Sequence, residues 1–284
     1  MPAQILDGRE IARRLQEEIK KEVTRLQREL QVTPSLAVIL VGDDPASAIY
    51  VRNKARACQE IGVKSDQYLL PADVPEETIL RLIDKLNGDQ SVHGILVQLP
   101  LPPHIEERKV LEAVLPSKDV DGFHPANLGG LLIGNPLFVA STPAGILELL
   151  DQAGVMIEGK HAVVVGWSVI VGKPTAFLLL QRRATVTVCQ IWTQDLAFHT
   201  RQADILVVAA GKPKLITAPM VKEGAVVIDV GINRFEGRLV GDVDFAPVAE
   251  KASFITPVPG GVGPVTVAML LRNTLEACKR ACIA

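Results

Sequence analysis

Three short apolar runs, Leu36–Val41, Val63–Leu70 and Val92–Gln98, alternate with helix-like segments in the first half of the chain. This alternation limits the fold, because strands that are joined through a helix normally lie parallel in one sheet. The crossovers of such units are right-handed. The sequence therefore predicts an α/β fold built on a parallel sheet, whose ligands bind beyond the carboxyl ends of the strands.

The boundaries of the predicted helices are well marked. Asp44-Pro45 offers an N-cap and a first-turn proline, and Gly62 is suited to end the same helix. Between Phe123 and Thr142 the pattern gives way to a stretch rich in Gly, Pro and Asn, and we place a domain boundary there. A second series of strands and helices follows, and a long helix over Pro264–Ala281 ends it.

This organisation indicates two α/β domains, since 284 residues are many for one hydrophobic core. We predict that residues 1–140 plus 264–284 form an N-terminal α/β domain. Residues 141–263 are predicted to form a Rossmann-like domain. The C-terminal helix would return to the first domain and bridge the two.

Charge and composition favour a small-molecule ligand. The formal net charge is −2, and no basic run is interleaved with aromatic residues, so we expect no nucleic-acid partner. The chain opens with a charged amphipathic stretch rather than a signal peptide, and no apolar run could span a bilayer. We therefore expect a cytoplasmic protein with no membrane partner. The four cysteines and five histidines lack metal-ligand spacing, which predicts reduced thiols and no metal site.

A tyrosine and a lysine mark the helix that follows the first strand. Tyr50 and Lys54 lie four residues apart and so share one helical face, with Ser47 a turn earlier. A lysine becomes a useful acid or base when its pKa falls, for example through desolvation in a cleft between domains. The alternative is that Lys54 is a solvated surface lysine and Tyr50 a ring at the edge of the core.

Two further polar residues follow later strands. Gln98 closes the third apolar run, where an amide either caps the strand end or contacts a ligand. Asp121 lies in an Asp-x-Asp-Gly sequence, but the remaining ligands of a calcium loop are absent. A lone carboxylate facing a cleft suits a pair of N–H donors on a heterocycle. Its alternative role is that of a turn residue.

The second domain contains a glycine-bounded loop between a strand and a helix, over Val163–Pro174. Backbone N–H groups at such a turn can hold a pyrophosphate, although the sequence is not a strict G-x-G-x-x-G. Ala209–Pro213 and Asp229–Asn233 end two later strands on the same predicted edge, and together these turns suggest a dinucleotide crevice. The glycine-rich turn Pro257–Pro264 is another place where backbone can approach a ligand closely.

Taken together, these motifs resemble the bifunctional methylenetetrahydrofolate dehydrogenase/methenyltetrahydrofolate cyclohydrolase family. The resemblance extends from about Leu6 to the last helix. It rests on Val41–Ser47, Tyr50–Lys54, Gly94–Pro102, Pro116–Gly122, Thr142-Pro143 and Pro257–Pro264.

The resemblance implies that hydride passes from 5,10-methylenetetrahydrofolate to NADP, after which water opens the methenyl product to 10-formyltetrahydrofolate. In that scheme Lys54 is the main catalytic group, as general base or proton shuttle, and Gln98 orients it. Tyr50 would stack on the folate rings, and Asp121 would hold the N–H edge of the pterin. No metal is required, because the substrate supplies the electrophilic cation.

The resemblance also implies a folate-binding catalytic first domain, a dinucleotide-binding second domain and a homodimer formed mainly through the latter. Further candidate substrate contacts are Ser47, Pro259, Gly260 and Gly261. The candidate cofactor contacts are Gly166, Trp167, Ser168, Val169, Gly172, Gln190, Gly211, Gly231, Ile232 and Thr266.

One region departs from the family pattern. The family usually carries arginine and serine after the first nucleotide-domain strand, and His-Ser-Arg-Thr after the second. Here those places hold Trp167-Ser168 and Gln190–Thr193. A dinucleotide fold reads the ribose here with a carboxylate for NAD or a basic group for NADP, and neither is present. An apolar patch is predicted instead, formed by Trp167, Val169, Ile191 and Trp192.

This departure predicts weakened NADP binding, little preference for NADP over NAD, and a dehydrogenase activity reduced more than the cyclohydrolase activity. An alternative function is a divergent or engineered scaffold whose cofactor pocket is an apolar binding or interaction surface, with dehydrogenase activity weak or lost. A monofunctional cyclohydrolase lies between the two.

Overall fold

The computed structural model describes residues 2–283, so that Met1 and Ala284, the ends of the predicted first domain, lie outside the described residues. The chain divides into two compact units. The six-strand unit comprises the segment up to Arg13 together with Thr142–Thr266, and the three-strand unit comprises Arg14–Ser141 together with the segment from Val267. None of the described helices is long and apolar enough to cross a membrane.

Within residues 2–283 the helices are α1 Gly8–Glu29, α2 Pro45–Ile61, α3 Glu76–Gly88, α4 Glu107–Ala113, α5 Pro125–Leu132, α6 Ser141–Gln152, α7 Gly172–Gln181, α8 Leu196–Thr200, α9 Phe245–Ala249 and α10 Val262–Ile283. The strands are β1 Gln4–Ile5, β2 Ser35–Val41, β3 Lys64–Leu70, β4 Gly94–Val97, β5 His161–Val165, β6 Thr185–Cys189, β7 Ile205–Val208, β8 Val226–Asp229, β9 Asn233–Phe235, β10 Arg238–Val240 and β11 Phe254–Ile255.

The three-strand unit contains the sheet predicted from the first apolar runs. Its strands are parallel in the order β3-β2-β4, and every residue of the central strand β2 is buried. The predicted start of α2 is confirmed, because the Asp44 carboxylate accepts a hydrogen bond from the Ser47 N–H at 2.7 Å. Gly62 ends the same helix. Because β2 and β4 are parallel neighbours, the loops that follow them leave the sheet at the same edge, beyond the carboxyl ends of the strands.

The six-strand unit has the predicted Rossmann-like sheet, with parallel strands in the order β1-β11-β8-β7-β5-β6. The chain moves from β5 to its neighbour β6 and then crosses to β7 on the opposite side of β5. This reversal is a topological switch point, which leaves a crevice outside the carboxyl ends of the strands. The turns after β5, β6, β7 and β8 therefore leave the sheet at its ligand-binding edge.

The structure differs from the predicted domain limits at the N-terminus. Gln4 and Ile5 pair with Phe254 and Ile255, so the first residues belong to the six-strand unit rather than to the first domain. A strand of two residues is too short to show a hydrophobic period. Helices α1 and α10 contribute residues to both units.

A helix also lies inside the segment predicted to be irregular. His124 caps α5 by accepting a hydrogen bond from the Ala126 N–H at 3.0 Å, and Pro125 occupies its first turn. Gly129 and Gly130 lower the helical propensity of this stretch, which explains why the sequence favoured a loop. The hairpin of β9 and β10 and the short helices α8 and α9 were likewise not predicted.

Candidate functional site

Lys54 and Gln98 form a direct contact in the three-strand unit. The Lys54 ammonium donates a hydrogen bond to Gln98 Oε1 at 3.1 Å. The amide nitrogen of Gln98 donates in turn to the carbonyl of Leu99 at 2.7 Å, which fixes the orientation of the amide. Helix α2 and the end of β4 thus bring together two residues that are 44 positions apart.

The surroundings of Lys54 make its ammonium easier to deprotonate. Burial lowers the pKa of Lys54, and the electrostatic influence of Asp121 and Cys58 raises it against this effect. The hydrogen-bonding partner is a neutral amide oxygen, which holds the ammonium with less electrostatic force than a carboxylate would. A half-buried lysine of this kind gives up its proton more readily than a solvated one.

Asp121 is a second perturbed group in the same unit. Burial raises the pKa of Asp121 to about 6, Lys54 and a hydrogen bond from Ser141 oppose that shift, and the nearby charge of Asp119 adds to it. The Asp121 side chain is only half-buried, so part of it faces solvent. A carboxyl group with this pKa changes its charge just below neutral pH.

The loop that carries Asp121 is anchored by Asp119, a buried residue that the sequence did not single out as functional. Its carboxylate accepts hydrogen bonds from the backbone N–H groups of Gly122, Phe123 and His124 at 2.8–3.1 Å. Asn127 Nδ2 donates to the same carboxylate at 2.7 Å. The two aspartates of the Asp-x-Asp-Gly motif therefore have different roles. The first, Asp119, holds the loop, and the second, Asp121, remains available to contact a ligand.

Tyr50 and Ser47 lie on the same helix as Lys54. The Tyr50 side chain is 36% exposed, and partial burial raises the pKa of its phenol, so the ring is neutral at physiological pH. Ser47 is buried in the first turn, where its N–H is held by Asp44. The side chain of Tyr50 is therefore accessible to a ligand, whereas that of Ser47 is not.

In the six-strand unit the turn after β5 approaches its neighbours closely. Gly166 has a φ of 125°, and a Cβ atom there would lie 2.2 Å from the carbonyl oxygen of Ala209. Ser168 Oγ accepts hydrogen bonds from the N–H groups of Val171 and Gly172 at the start of α7. This compact turn, followed by a helix N-terminus, is suited to the pyrophosphate of a dinucleotide.

Two buried carboxylates hold the turns after β7 and β8, a role that was not predicted from the sequence. Asp242 accepts hydrogen bonds from the N–H groups of Ala210 and Gly211 at 2.6 and 2.8 Å. Asp229 accepts from Gly231, and a Cβ atom at Gly231 would lie 2.3 Å from the Asp242 side chain. The available signal was an aspartate at the end of an otherwise apolar strand.

The chain's two tryptophans lie in turns after β5 and β6. Trp167 is 43% exposed, and the Lys173 ammonium lies 5.1 Å from the centre of its ring. Ile191 and Trp192 are 89% and 82% exposed. They form the tip of a turn in which the Gln190 N–H donates to Thr193 Oγ1 at 2.8 Å. The predicted apolar side chains are thus presented to solvent.

The remaining candidate residues also lie in the six-strand unit. Val169 and Ile232 are exposed, and Pro259 lies exposed in the turn before α10. Gly260 and Gly261 in the same turn are buried. In the first turns of α10, the Thr266 hydroxyl donates to the hydroxyl of Thr142 at 3.2 Å. No group of three or more His, Cys, Asp or Glu side chains among the described residues could hold a metal ion.

Both parts of the chain match models of one protein family. Residues 6–121 match the model described as the catalytic domain of tetrahydrofolate dehydrogenase/cyclohydrolase, and residues 140–282 match the NAD(P)-binding domain of the same family. The bifunctional protein FolD of Moorella thermoacetica is 60% identical over 281 residues, which cover 99% of this chain and 100% of that protein.

Solved structures show the same similarity. The bifunctional FolD methylenetetrahydrofolate dehydrogenase/cyclohydrolase from Campylobacter jejuni matches with a TM-score of 0.96 and 52% identity, over 98% of this chain and 99% of its own. The FolD enzyme from Trypanosoma brucei, solved with NADP and an inhibitor, matches with a TM-score of 0.96 and 43% identity over the whole of both chains. These matches confirm the resemblance based on the motifs.

Proposed function

Since the chain belongs to the tetrahydrofolate dehydrogenase/cyclohydrolase family, we propose that it oxidises 5,10-methylenetetrahydrofolate to the 5,10-methenyl form with NADP. It then hydrolyses the methenyl form to 10-formyltetrahydrofolate, as a bifunctional enzyme of one-carbon metabolism. The observation that carries the proposal is the contact between Lys54 and Gln98 beside Asp121, because it supplies a proton-transfer group in a chain that matches both family domains.

In the hydrolytic step Lys54 handles protons. Water adds to the methenyl carbon, and the neutral amine of Lys54 accepts one proton from it. The bond between that carbon and N5 then breaks, and Lys54 returns the proton to N5. The second proton of the water is released, so the cation and one water give 10-formyltetrahydrofolate and one proton. Gln98 keeps the amine pointed at the reacting carbon throughout.

Asp121 and Tyr50 hold the substrate in this scheme. The ionised Asp121 carboxylate accepts hydrogen bonds from neighbouring N–H groups of the pterin, a pairing that is stronger than one between neutral groups. The exposed face of Tyr50 stacks on the folate rings. The loop anchored by Asp119 keeps the Asp121 carboxylate in place, so that binding needs little reordering.

The cofactor is a nicotinamide dinucleotide, in keeping with the NAD(P)-binding domain that residues 140–282 match. When bound, its nicotinamide takes up the hydride that leaves the methylene carbon. The glycine-bounded turn from Gly166 to Gly172 fits the pyrophosphate, because side chains at those glycines would fill the space that close backbone packing requires. Gly211 and Gly231, held by Asp242 and Asp229, line the neighbouring strand ends.

Assembly and location complete the proposal. The chain forms a homodimer through the six-strand unit, whose strand β6 lies at the edge of its sheet and can pair with a further strand. The enzyme acts in the cytoplasm, and its four cysteines, all free thiols, suit a reducing compartment.

The test of the proposed function is Lys54→Met. Methionine keeps much of the volume of the lysine stem but transfers no proton, so cyclohydrolase activity should be abolished while the fold is kept. Hydrolysis is followed by the absorbance of methenyltetrahydrofolate, and dehydrogenase activity by reduction of NADP. Arg56→Met, on an exposed site of the same helix, is the control and should hydrolyse at the normal rate. Near-normal hydrolysis by Lys54→Met would overturn the assigned role.

A further inference from the structure

The turns after β5 and β6 lie where a dinucleotide-binding fold meets the adenosine ribose. Val165 pairs in parallel with Cys189, so the residues that follow these two strands leave the sheet at the same edge. A carboxylate about 20 residues after the glycine turn reads the 2′-hydroxyl of NAD, or a basic group nearby accepts the 2′-phosphate of NADP. In this chain, residues 190–193 occupy the position of that carboxylate or basic group.

We infer that this chain reads the adenosine half of its dinucleotide through a neutral aromatic surface, formed by Trp167 and Trp192, and does not select for the 2′-phosphate. It therefore accepts NAD about as well as NADP. The inference rests on the proposed function, since it deepens the assignment of the same cofactor site.

The tip of the turn after β6 carries no charged side chain. Residues 190–193 are Gln, Ile, Trp and Thr, all of them neutral. The hydroxyl of Thr193 is already engaged, because it accepts a hydrogen bond from the Gln190 N–H and is itself hydrogen-bonded to the Cys189 thiol. A 2′-phosphate carries about two negative charges and needs charge-assisted donors to replace its lost hydration. The tip offers it no cationic donor.

The charged side chains that flank β6 in the sequence have other partners. The carboxylate of Asp195 caps α8 by accepting a hydrogen bond from the Phe198 N–H at 3.1 Å. Arg182 binds Asp151 through two hydrogen bonds of 2.6 and 3.0 Å. Arg183 forms an ion pair of 2.9 Å with a glutamate. These arginines close α7, at the opposite end of that helix from the turn.

Lys173 is a cation in contact with the aromatic surface. Its ammonium lies 5.1 Å from the ring centre of Trp167, in the first turn of α7. That position suits the pyrophosphate, which NAD and NADP share, so Lys173 favours both equally. The free indole surface of Trp192 suits stacking of adenine, an interaction that does not sense the 2′-substituent.

The test uses the two tryptophans as reporters, since the chain has no others. Titrations follow tryptophan fluorescence and calorimetric heat with NAD, NADP, 5′-AMP and adenosine 2′,5′-bisphosphate. The last two probes differ only in the 2′-phosphate. We expect all four to quench fluorescence, with less than about a tenfold difference in Kd within each matched pair.

Three variants locate the determinant. Trp192→Arg adds a cation at the exposed tip and should tighten NADP and the bisphosphate by about tenfold or more relative to NAD and 5′-AMP. Trp192→Gln removes the indole without adding charge and should weaken all four probes together. Lys173→Met should leave the selectivity unchanged. Trp167 still reports binding in both Trp192 variants.

Two results would overturn the inference. Selectivity of the unaltered protein for NADP over NAD of about tenfold or more would mean that another group contacts the 2′-phosphate. Failure of every nucleotide to bind would show that the patch is not an adenosine site and would favour an interaction surface. Hydrolysis of methenyltetrahydrofolate, measured without any nucleotide, tests the proposed function separately from this cofactor assignment.

Discussion

At Lys54 the choice of hydrogen-bonding partner decides how readily the amine gives up its proton. Gln98 offers a neutral oxygen at 3.1 Å, and burial lowers the pKa of the lysine. A carboxylate in place of Gln98 would form a close ion pair, which keeps a lysine charged. The amide therefore positions the amine and leaves it useful as a base.

Gln98→Glu should consequently move the acid limb of the hydrolysis profile to higher pH by about 1–3 units, because the new carboxylate raises the pKa of Lys54. The neutral amine accepts the proton, so the variant is less active than the unaltered protein below its raised pKa. The measurement is kcat for methenyltetrahydrofolate against pH. Gln98→Met, the control, loses the contact without adding charge and should not move the limb upward. If the acid limb of the kcat profile lay at the same pH in Gln98→Glu and in the unaltered protein, the role of Lys54 as the proton acceptor would be contradicted.

Asp121 should make folate binding depend on pH, because burial raises the pKa of this carboxyl group to about 6. The ionised form dominates above that value and accepts the pterin N–H groups, whereas protonation at lower pH removes an acceptor. Folate affinity should thus fall by up to about tenfold per pH unit below that pKa. Calorimetry at a series of pH values on both sides of the pKa supplies the measurement. In Asp121→Ala the free energy of folate binding should become less favourable by about 1.5–3 kcal/mol for each charged hydrogen bond that is lost. The pH dependence of folate binding should also disappear in this variant. An equal pH dependence in both proteins would show that Asp121 is only a turn residue.

Sequence spacing could predict the candidates at this scale but not their contacts. The helical period placed Tyr50 and Lys54 on one face, whereas the contact of Lys54 with Gln98 depends on how α2 packs beside β4. Spacing also could not tell which aspartate of the Asp-x-Asp-Gly motif would bind backbone N–H groups. That depends on the loop conformation, which Asp119 and Asn127 stabilise together.

Among the elements, the turn after β7 depends on a side chain from a later part of the chain. Asp242 follows the hairpin of β9 and β10, yet its carboxylate holds the backbone of Ala210 and Gly211. The turn after β7 is thus fixed by a buried acid from elsewhere in the chain rather than by its own residues. Such a preformed turn binds a ligand without losing further conformational entropy.

Asp242→Asn should loosen these turns, because an amide cannot accept as strongly as a carboxylate and its NH2 group can face the backbone donors. We expect a loss of about 2 kcal/mol or more in the free energy of unfolding and weaker binding of NADP. Urea denaturation and calorimetry measure the two effects. Asp244→Asn, on a partly exposed ion pair with Lys214, is the control and should cost less than about 1 kcal/mol. Equal losses in the two variants would contradict the positioning role of Asp242.

The elements that the sequence predicted are those with long apolar patterns. Strands β2 to β8 and helices α1 and α10 were confirmed because their apolar residues form continuous runs or repeat with a helical period. Helix α5 was missed because its stability depends on a cap at His124 and not on propensity. Strands β1 and β11 have two residues each, and only pairing within the sheet defines them.

Across the whole molecule, the two parallel sheets confirm the predicted α/β class, while the limits of the units follow pairing rather than sequence order. Each unit takes a segment from near the start of the chain and another from further along it. A hydrophobic pattern reports which residues are buried, but not which partner buries them. Sequence could therefore predict two domains and could not assign the N-terminal strand.

Assembly is tested at the same scale. Light scattering at micromolar concentration should give about twice the chain mass of 30.6 kDa. In β6 the Thr185 N–H donates to the carbonyl oxygen of Lys160, on the β5 side of the strand. Since successive residues of a strand direct their N–H groups to opposite sides, the N–H of Val186 points to the open edge of the sheet. Val186→Pro removes that outward donor and should weaken the dimer, whereas Val186→Thr should not. Only monomer mass for the unaltered protein would contradict a homodimer, and a normal dimer of Val186→Pro would contradict pairing through β6.

The pairing of β1 with β11 has a consequence for synthesis on the ribosome. Gln4 is made long before its partner Phe254, which lies 250 positions later in the chain (254 − 4). The core of the three-strand unit likewise includes Leu270 and Leu275 of the last helix, packed with Ile19 and Val23 of the first. Neither unit can close on its own segment of nascent chain. The six-strand unit needs residues up to Thr266 and the three-strand unit needs the segment from Val267, and until these are made the unfinished apolar surfaces are prone to aggregate.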